Sequence, residues 1–317
     1  MKTYLHNLVR KSIGTFWSLA KVMVPIMILV RIADNYGMVD AMGPFLEPIM
    51  SLIGLPAEAG IVWATSLFIG IYAGFGAMPV LAGVDMNVAQ ASILATIMLI
   101  AHALPVEQAI VRQTGVSFFG TMCLRFFGAV LYGLIVHWVC TWLGLLQDPA
   151  DLSLLTASGN AGQTNFEFAI AMAKSLGMVF IIIIVLFVLL DISDHVGLTD
   201  KFTELMIPLI RLSGLNKEIA PLTTIGVLLG LTYGGGLIIA ESKEKGFSLR
   251  AKTLALCWLS LTHAVLEDTF LMLAMDASLW VILVGRVIFT LIVVRIIASL
   301  WPRVPEPMPK PDASEVA

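Results

Sequence analysis

The sequence predicts an all-α integral membrane protein: two inverted repeats, each three transmembrane helices plus a glycine-rich re-entrant hairpin, with broken helices at the midplane. Three observations carry this. Of 317 residues, 58% are hydrophobic and 13% charged, against roughly 45–50% and 25% in soluble domains, and several runs reach the roughly 20 apolar residues that span a bilayer. Residues 16–76 align without a gap on residues 176–236, so that Asp34, Gly37, Pro48, Gly54, Glu58, Gly70, Gly74 and Gly76 fall on Asp194, Gly197, Pro208, Gly214, Glu218, Gly230, Gly234 and Gly236. Finally, one residue added in the second copy pairs His102 with His263, Glu107 with Asp268 and Arg125 with Arg286. A repeat of this length is the internal duplication of a transporter-like fold rather than a solenoid. The copies are assigned to residues 1–147 and 148–301, followed by a cytoplasmic tail, 302–317, whose prolines and mixed charges predict disorder.

Each copy opens with a span, Phe16 to Ala33 or Ala171 to Leu190, ending at Asp34 or Asp194. Short amphipathic pieces follow, Pro44 to Leu52 and Glu204 to Leu212; broken by Pro48 and Pro208, they are placed along the interface, with Asp40 and Asp200 as N-caps. Next come the glycine-rich segments, Ala57 to Gly83 and Lys217 to Ser242. Three glycines within seven residues weaken a helix by about 1 kcal/mol each and admit positive φ, as the tip of a hairpin at membrane depth requires. The alternative is close helix packing through small residues. Residues 88–116 and 249–277 then cross once, interrupted at the His motifs, with Pro105 removing a backbone donor. Ser117 to Trp142 and Ser278 to Leu300 are the final spans.

Orientation follows from Lys and Arg. An odd number of true spans per copy inverts the copies, and Lys2, Arg10 and Lys11 place the N terminus in the cytoplasm. Val39 to Leu55 and Leu81 to Asn87, which lack Lys and Arg, then fall outside with the acidic loop Gln147 to Phe168. Arg112, Lys201, Arg211, Lys217, Lys243, Lys245, Arg250, Lys252, Arg303 and Lys310 fall inside, so both termini are cytoplasmic, at a bacterial inner membrane.

The candidate site is where ionisable groups interrupt apolar helices. A charge in hydrocarbon costs about 2.5–3.5 kcal/mol on insertion scales, so it faces a partner or a wet cavity. His102-Ala-Leu-Pro-Val-Glu107 and His263-Ala-Val-Leu-Glu-Asp268 are two such interruptions. Glu107 with Arg125, and Asp268 with Arg286, lie equidistant from the turn joining two antiparallel helices and are expected as structural ion pairs. That leaves His102, His263 and Glu267 for a solute or a coupling ion, with Glu267 expected to share a proton with His263. Tyr72 and Tyr233 flank the glycine tips, and Glu58 and Glu218 start the hairpins; all four are candidates to line a pocket. His137, beside Trp138, reads as interfacial, and His6 and His195 as solvated. Cys123, Cys140 and Cys257 sit singly and read as small core residues. No P-loop, GxSxG or HExxH motif is present, so neither ATP-driven pumping nor an enzyme is expected, and no cofactor or metal is assigned. A net charge of −3 without a basic cluster excludes nucleic acid.

The paired glycine-rich hairpins, each followed by His-Ala and then an acidic residue, resemble the nucleoside-recognition (Gate) domain membrane proteins, which include the spore maturation proteins A and B and the membrane part of FeoB-type iron transporters. The likeness covers nearly the whole chain, and extends more distantly to concentrative nucleoside transporters. It implies a substrate site lined by Gly74, Gly76, His102, Glu107, Gly234, Gly236, His263, Glu267 and Asp268. The expected function is a secondary transporter of a small polar solute, nucleoside-like or an organic acid, coupled to protons or sodium, in contact with lipid and open to homo-oligomerisation. The alternatives are a non-transporting scaffold of the spore-maturation type and a divalent cation permease.

Overall fold

A computed structural model describes residues 2–159, 164–215 and 219–301. The tail 302–317, expected to be disordered, and Glu218 at the start of the second hairpin lie outside these residues. Among the described residues, six helices are long and apolar enough to cross a membrane: Leu8–Ala33, Val88–Gln113, Phe118–Leu143, Asn165–Leu189, Leu249–Leu273 and Trp280–Leu300. The described residues contain no β-strand beyond an isolated bridge between Asn87 and Pro149.

The elements of the two copies match almost residue for residue. The opening helices are α1 (Lys2–Asn35) and, in the second copy, α9 (Asn165–His195), which pack on each other. Both are longer than the apolar runs suggest, because polar residues at their ends continue the helix. Next come α2 (Met38–Leu52) and α10 (Leu198–Leu212). The prolines do not break them; both are continuous 15-residue helices, about 22 Å long and so short of a bilayer core of about 30 Å. Their N-caps are Gly37 and Gly197, in left-handed backbone at φ 67° and 66°. Asp40 and Asp200 therefore lie inside the first turn rather than at the cap, since the turn begins where a glycine permits the left-handed conformation.

Each glycine-rich segment is a helix–glycine–helix hairpin. In the first copy α3 (Ala59–Phe68) meets α4 (Ile71–Ala77) at Gly70, and in the second α11 (Ala220–Leu229) meets α12 (Leu231–Lys245) at Gly230. Gly70 and Gly230 have φ of 140° and 106°, a conformation that side chains with a Cβ rarely adopt. The two arms of each hairpin pack along one another. A Cβ on Gly234 would sit 2.5 Å from the Cα of Gly226, so in the second hairpin the backbones themselves touch.

The broken helices follow: α5 (Val88–Ile100) and α6 (Leu104–Gln113), then α13 (Leu249–Leu261) and α14 (Val265–Leu273). They form the centre of the molecule. Within their most apolar windows 78% and 72% of residues are buried, against 25%, 39%, 24% and 33% for the other four long helices, which present apolar side chains outward. The first copy closes with α7 (Phe118–Leu143). A loop with the short α8 (Ser153–Thr156) leads into the second copy, which closes with a π-helical turn at Trp280–Gly285 running into α15 (Arg286–Leu300).

Loop contacts define two ends. At one, Gln90 reaches the carbonyl of Gly54 (2.8 Å), Val88 that of Asp148 (2.9 Å), and Ser278 the hydroxyl of Ser92 (2.8 Å). At the other, Arg250 bonds the carbonyl of Ala298 (3.1 Å), Trp258 the hydroxyl of Ser213 (2.5 Å), and Lys252 lies near Gly115. Cys140 and Cys257 are buried, but Cys123 is exposed on α7, so it is not a core residue. His137 is half-buried against the backbone of Gly54, and His195 is exposed. The side chain of His6, expected to be solvated, lies outside those described.

Candidate functional site

Both long central helices break at the His motif, and the break is the same in each copy. Ala103 and Ala264 stand in left-handed backbone at φ 45° and 47°, uncommon for residues with a Cβ. The extended residues before them, Ala101 at φ −129° and Thr262 at φ −143°, end the upstream helix, and a new helix starts at Leu104 or Val265. The hairpin apices brace these breaks. Ala103 donates its backbone N–H to the carbonyl of Ser66 on α3 at 3.0 Å. The Cβ positions at Gly70 and Gly230 lie 3.9 and 3.8 Å from the methyls of Ala103 and Ala264.

The two breaks meet. His102 and His263 stand with ring centroids 5.0 Å apart and Nε2 atoms 3.2 Å apart, although 161 residues separate them in the chain. Glu107 Oε1 lies 3.5 Å from Nε2 of His102 and 3.4 Å from Nε2 of His263. Each Nδ1 faces the carbonyl one turn upstream, Met98 O at 2.9 Å and Leu259 O at 2.6 Å. A carbonyl only accepts, so each Nδ1 donates and in the neutral rings both Nε2 atoms present lone pairs. His102, His263 and Glu107 are 7%, 1% and 8% exposed, so this meeting of three acceptors is shut off from solvent.

Arg125 holds the first copy's break together. Fully buried on α7, it donates Nε to the carbonyl of Ile100 at 2.8 Å and one terminal nitrogen to the carbonyl of His102 at 2.8 Å, while the other forms an ion pair with Glu107 Oε2. The equivalent groups, Asp268 and Arg286, make no hydrogen bond to each other, although their charges still act on one another. Arg286 is fully buried, and none of its three guanidinium nitrogens has a hydrogen-bond partner. A π-helical turn stands immediately before it, whereas Arg125 lies within the continuous α7. Gly285 leaves room for the Tyr132 hydroxyl, which donates to the carbonyl of Val281 at 2.8 Å. Thr262 bonds Thr290 (2.7 Å) where the first copy has only Ala101 and Ala129.

Glu267 also departs from expectation. It is exposed and accepts a hydrogen bond from the Tyr72 hydroxyl at 3.2 Å, while His263 faces His102 and Glu107 instead. Neighbouring residues on an α-helix point about 100° apart; Asp268 is turned inward and buried while Glu267 faces outward. Tyr72 thus carries the first hairpin to the second copy's broken helix. Gly74 packs against Met98 and Ser66, and Gly76 against α1 at Met23 and Ile26, so these two glycines are packing positions beside the apex. Gly234 packs on Gly226, while nothing lies within 4 Å of the Cβ position at Gly236. The Tyr233 side chain is outside those described. Sequence reasoning missed Gln108, fully buried, which accepts from Thr121 Oγ1 at 2.6 Å and leaves its amide nitrogen unbonded. Its signal was an amide beside Glu107 in an apolar helix.

Long apolar helices with two broken ones crossing at a buried polar centre define a multi-span helical membrane protein. Residues 16–117 match the family model described as Gate, nucleoside recognition. The chain is similar to YvoD of Bacillus subtilis (strain 168), described as an uncharacterized membrane protein: 27% identical over 291 residues, covering 90% of this chain and 91% of that one. No solved structure matches the chain.

Proposed function

We propose that this protein is a secondary transporter of a small polar solute, driven by a proton or sodium gradient, whose translocation site is the meeting of the two broken helices. The observation that carries this reading is that breaks from both copies converge on one buried polar centre, each braced by the apex of its own hairpin. Unwound backbone at membrane depth is tolerated where it is buried in protein or lines a cavity, and substrate sites in transporters built from repeats lie at such discontinuities. The loop contacts support inversion. The first hairpin is entered from the end that gathers Gly54, Gln90 and Ser278, and the second from the end that gathers Ser213, Arg250 and Lys252. With the lysines and arginines on the latter side, both termini are cytoplasmic.

Solute chemistry follows from the unmatched donors. The guanidinium of Arg286 and the amide nitrogen of Gln108 are buried donors without acceptors, and such groups carry a standing desolvation cost that an acceptor-bearing ligand relieves. Organic acids and nucleobase carbonyls present such acceptors.

A thermal-shift screen of purified protein against nucleosides, nucleobases and organic acids, followed by proteoliposome uptake of any stabilising class under imposed proton or sodium gradients, tests this. The expected result is one stabilising class whose uptake follows one gradient. Absence of gradient-driven uptake for every class would contradict it and favour the scaffold reading.

A further inference from the structure

The geometry points to a binding site for one divalent transition-metal ion of the zinc type, held by His102 Nε2, His263 Nε2 and Glu107 Oε1 and so bridging the two copies. It goes beyond the transport reading and does not depend on it. The first argument is chemical. Both Nδ1 atoms are committed as donors to backbone carbonyls, so the three atoms that face one another are all acceptors. Acceptors at such distances repel unless a cation lies among them.

The second argument is dimensional. The three edges of the triangle are 3.2, 3.4 and 3.5 Å. Zinc binds imidazole nitrogen at about 2.0–2.1 Å and carboxylate oxygen at about 2.0–2.2 Å, which gives ligand–ligand edges of roughly 3.3–3.5 Å in a tetrahedron. One ion fits all three ligands without moving a helix, and a fourth position remains for a solute atom or water. These three residues are the group of His, Cys, Asp and Glu able to hold a metal among the described residues.

The supporting groups are those a metal site uses. A ligating imidazole is oriented by a hydrogen bond from its other nitrogen, here to Met98 and Leu259, and a ligating carboxylate is held by its second oxygen, here by Arg125. Two nitrogens and one oxygen suit zinc, cobalt and iron(II) rather than magnesium or calcium, which take oxygen ligands. A proton shared between the two imidazoles is the competing occupant, and the experiment separates the two.

Purified full-length protein is stripped with a chelator and titrated with Zn²⁺ by calorimetry, and with Co²⁺ by visible absorption, which reports a tetrahedral site. One ion per chain is expected, with no competition from Mg²⁺. His102→Gln and His263→Gln should each weaken binding about tenfold or more, since even loss of a supporting group costs a metal site that much. His195→Gln, at an exposed position, should bind as wild type. Zn²⁺ should raise the thermal midpoint of wild type but not of either site variant, whose folding is checked by size-exclusion chromatography. Absence of stoichiometric binding in wild type, or wild-type binding in both site variants, would overturn the site and leave the shared proton. Proteoliposomes enclosing a zinc-responsive dye read the ion's role: entry names it as cargo, and binding without entry names it as resident, the site standing in either case. Binding without flux of any solute would remove the transport reading alone; flux without binding would remove the metal site alone.

Discussion

The two copies place an arginine at the same position of the same helix, and they treat it in opposite ways. Arg125 is bonded to two backbone carbonyls at the break and to Glu107; Arg286 is as deeply buried and bonded to nothing. Their surroundings differ in two respects. A π-helical turn stabilised by Tyr132 precedes Arg286, and the second break is tied instead by Thr262 to Thr290. Duplication supplied equal residues, and only one of them became a clamp. The first copy's break is therefore fixed from within, whereas the second keeps an unmatched guanidinium.

Substitution at these arginines should break that contrast most visibly. Arg125→Met removes three hydrogen bonds and strands Glu107, and should cost about 3–5 kcal/mol, as loss of one partner of a buried pair does. Arg125→Met with Glu107→Gln should recover part of it. Arg286→Met loses no hydrogen bond and should leave the thermal midpoint in detergent equal or raised. Equal loss in Arg125→Met and Arg286→Met would mean that the copies are held alike.

The hairpins give a smaller contrast. Gly234→Ala drives a methyl to 2.5 Å from the Cα of Gly226, where backbone cannot give way, whereas Gly74→Ala meets first the flexible end of Met98 at 2.7 Å. The former should cost about 1–3 kcal/mol, the range for overpacking, and the latter less. Gly236→Ala meets nothing and should be neutral within about 0.5 kcal/mol. Thermal midpoints of the three variants order the effects, and a Gly236→Ala loss as large as that of Gly234→Ala would refute the packing described.

Much of this was legible in the residues. Apolar run lengths gave the six long helices, and the paired glycines and His motifs gave the hairpins and breaks, because each of these follows from local composition. Equal depth across a turn located Glu107 against Arg125. The same rule did not bring Asp268 and Arg286 into hydrogen-bond contact, since depth says nothing about azimuth. Glu267 and Asp268 could not be assigned faces without the helix start at Val265. That His102 and His263 line one site was expected, but the contact of their Nε2 atoms and the turn of Glu107 toward both rings depend on how the two copies cross, which no single-copy pattern encodes.

The central claim is that the two breaks share one centre opened in turn from each side of the membrane. Single cysteines at Ala103 and Ala264, in a background lacking Cys123, Cys140 and Cys257, report this directly when membrane-impermeant maleimide is added to either face of oriented vesicles. Both positions should be modified from both faces, with saturating solute or Zn²⁺ slowing the reaction at each. Modification of each cysteine from one face only, unchanged by either ligand, would contradict a shared centre with alternating access.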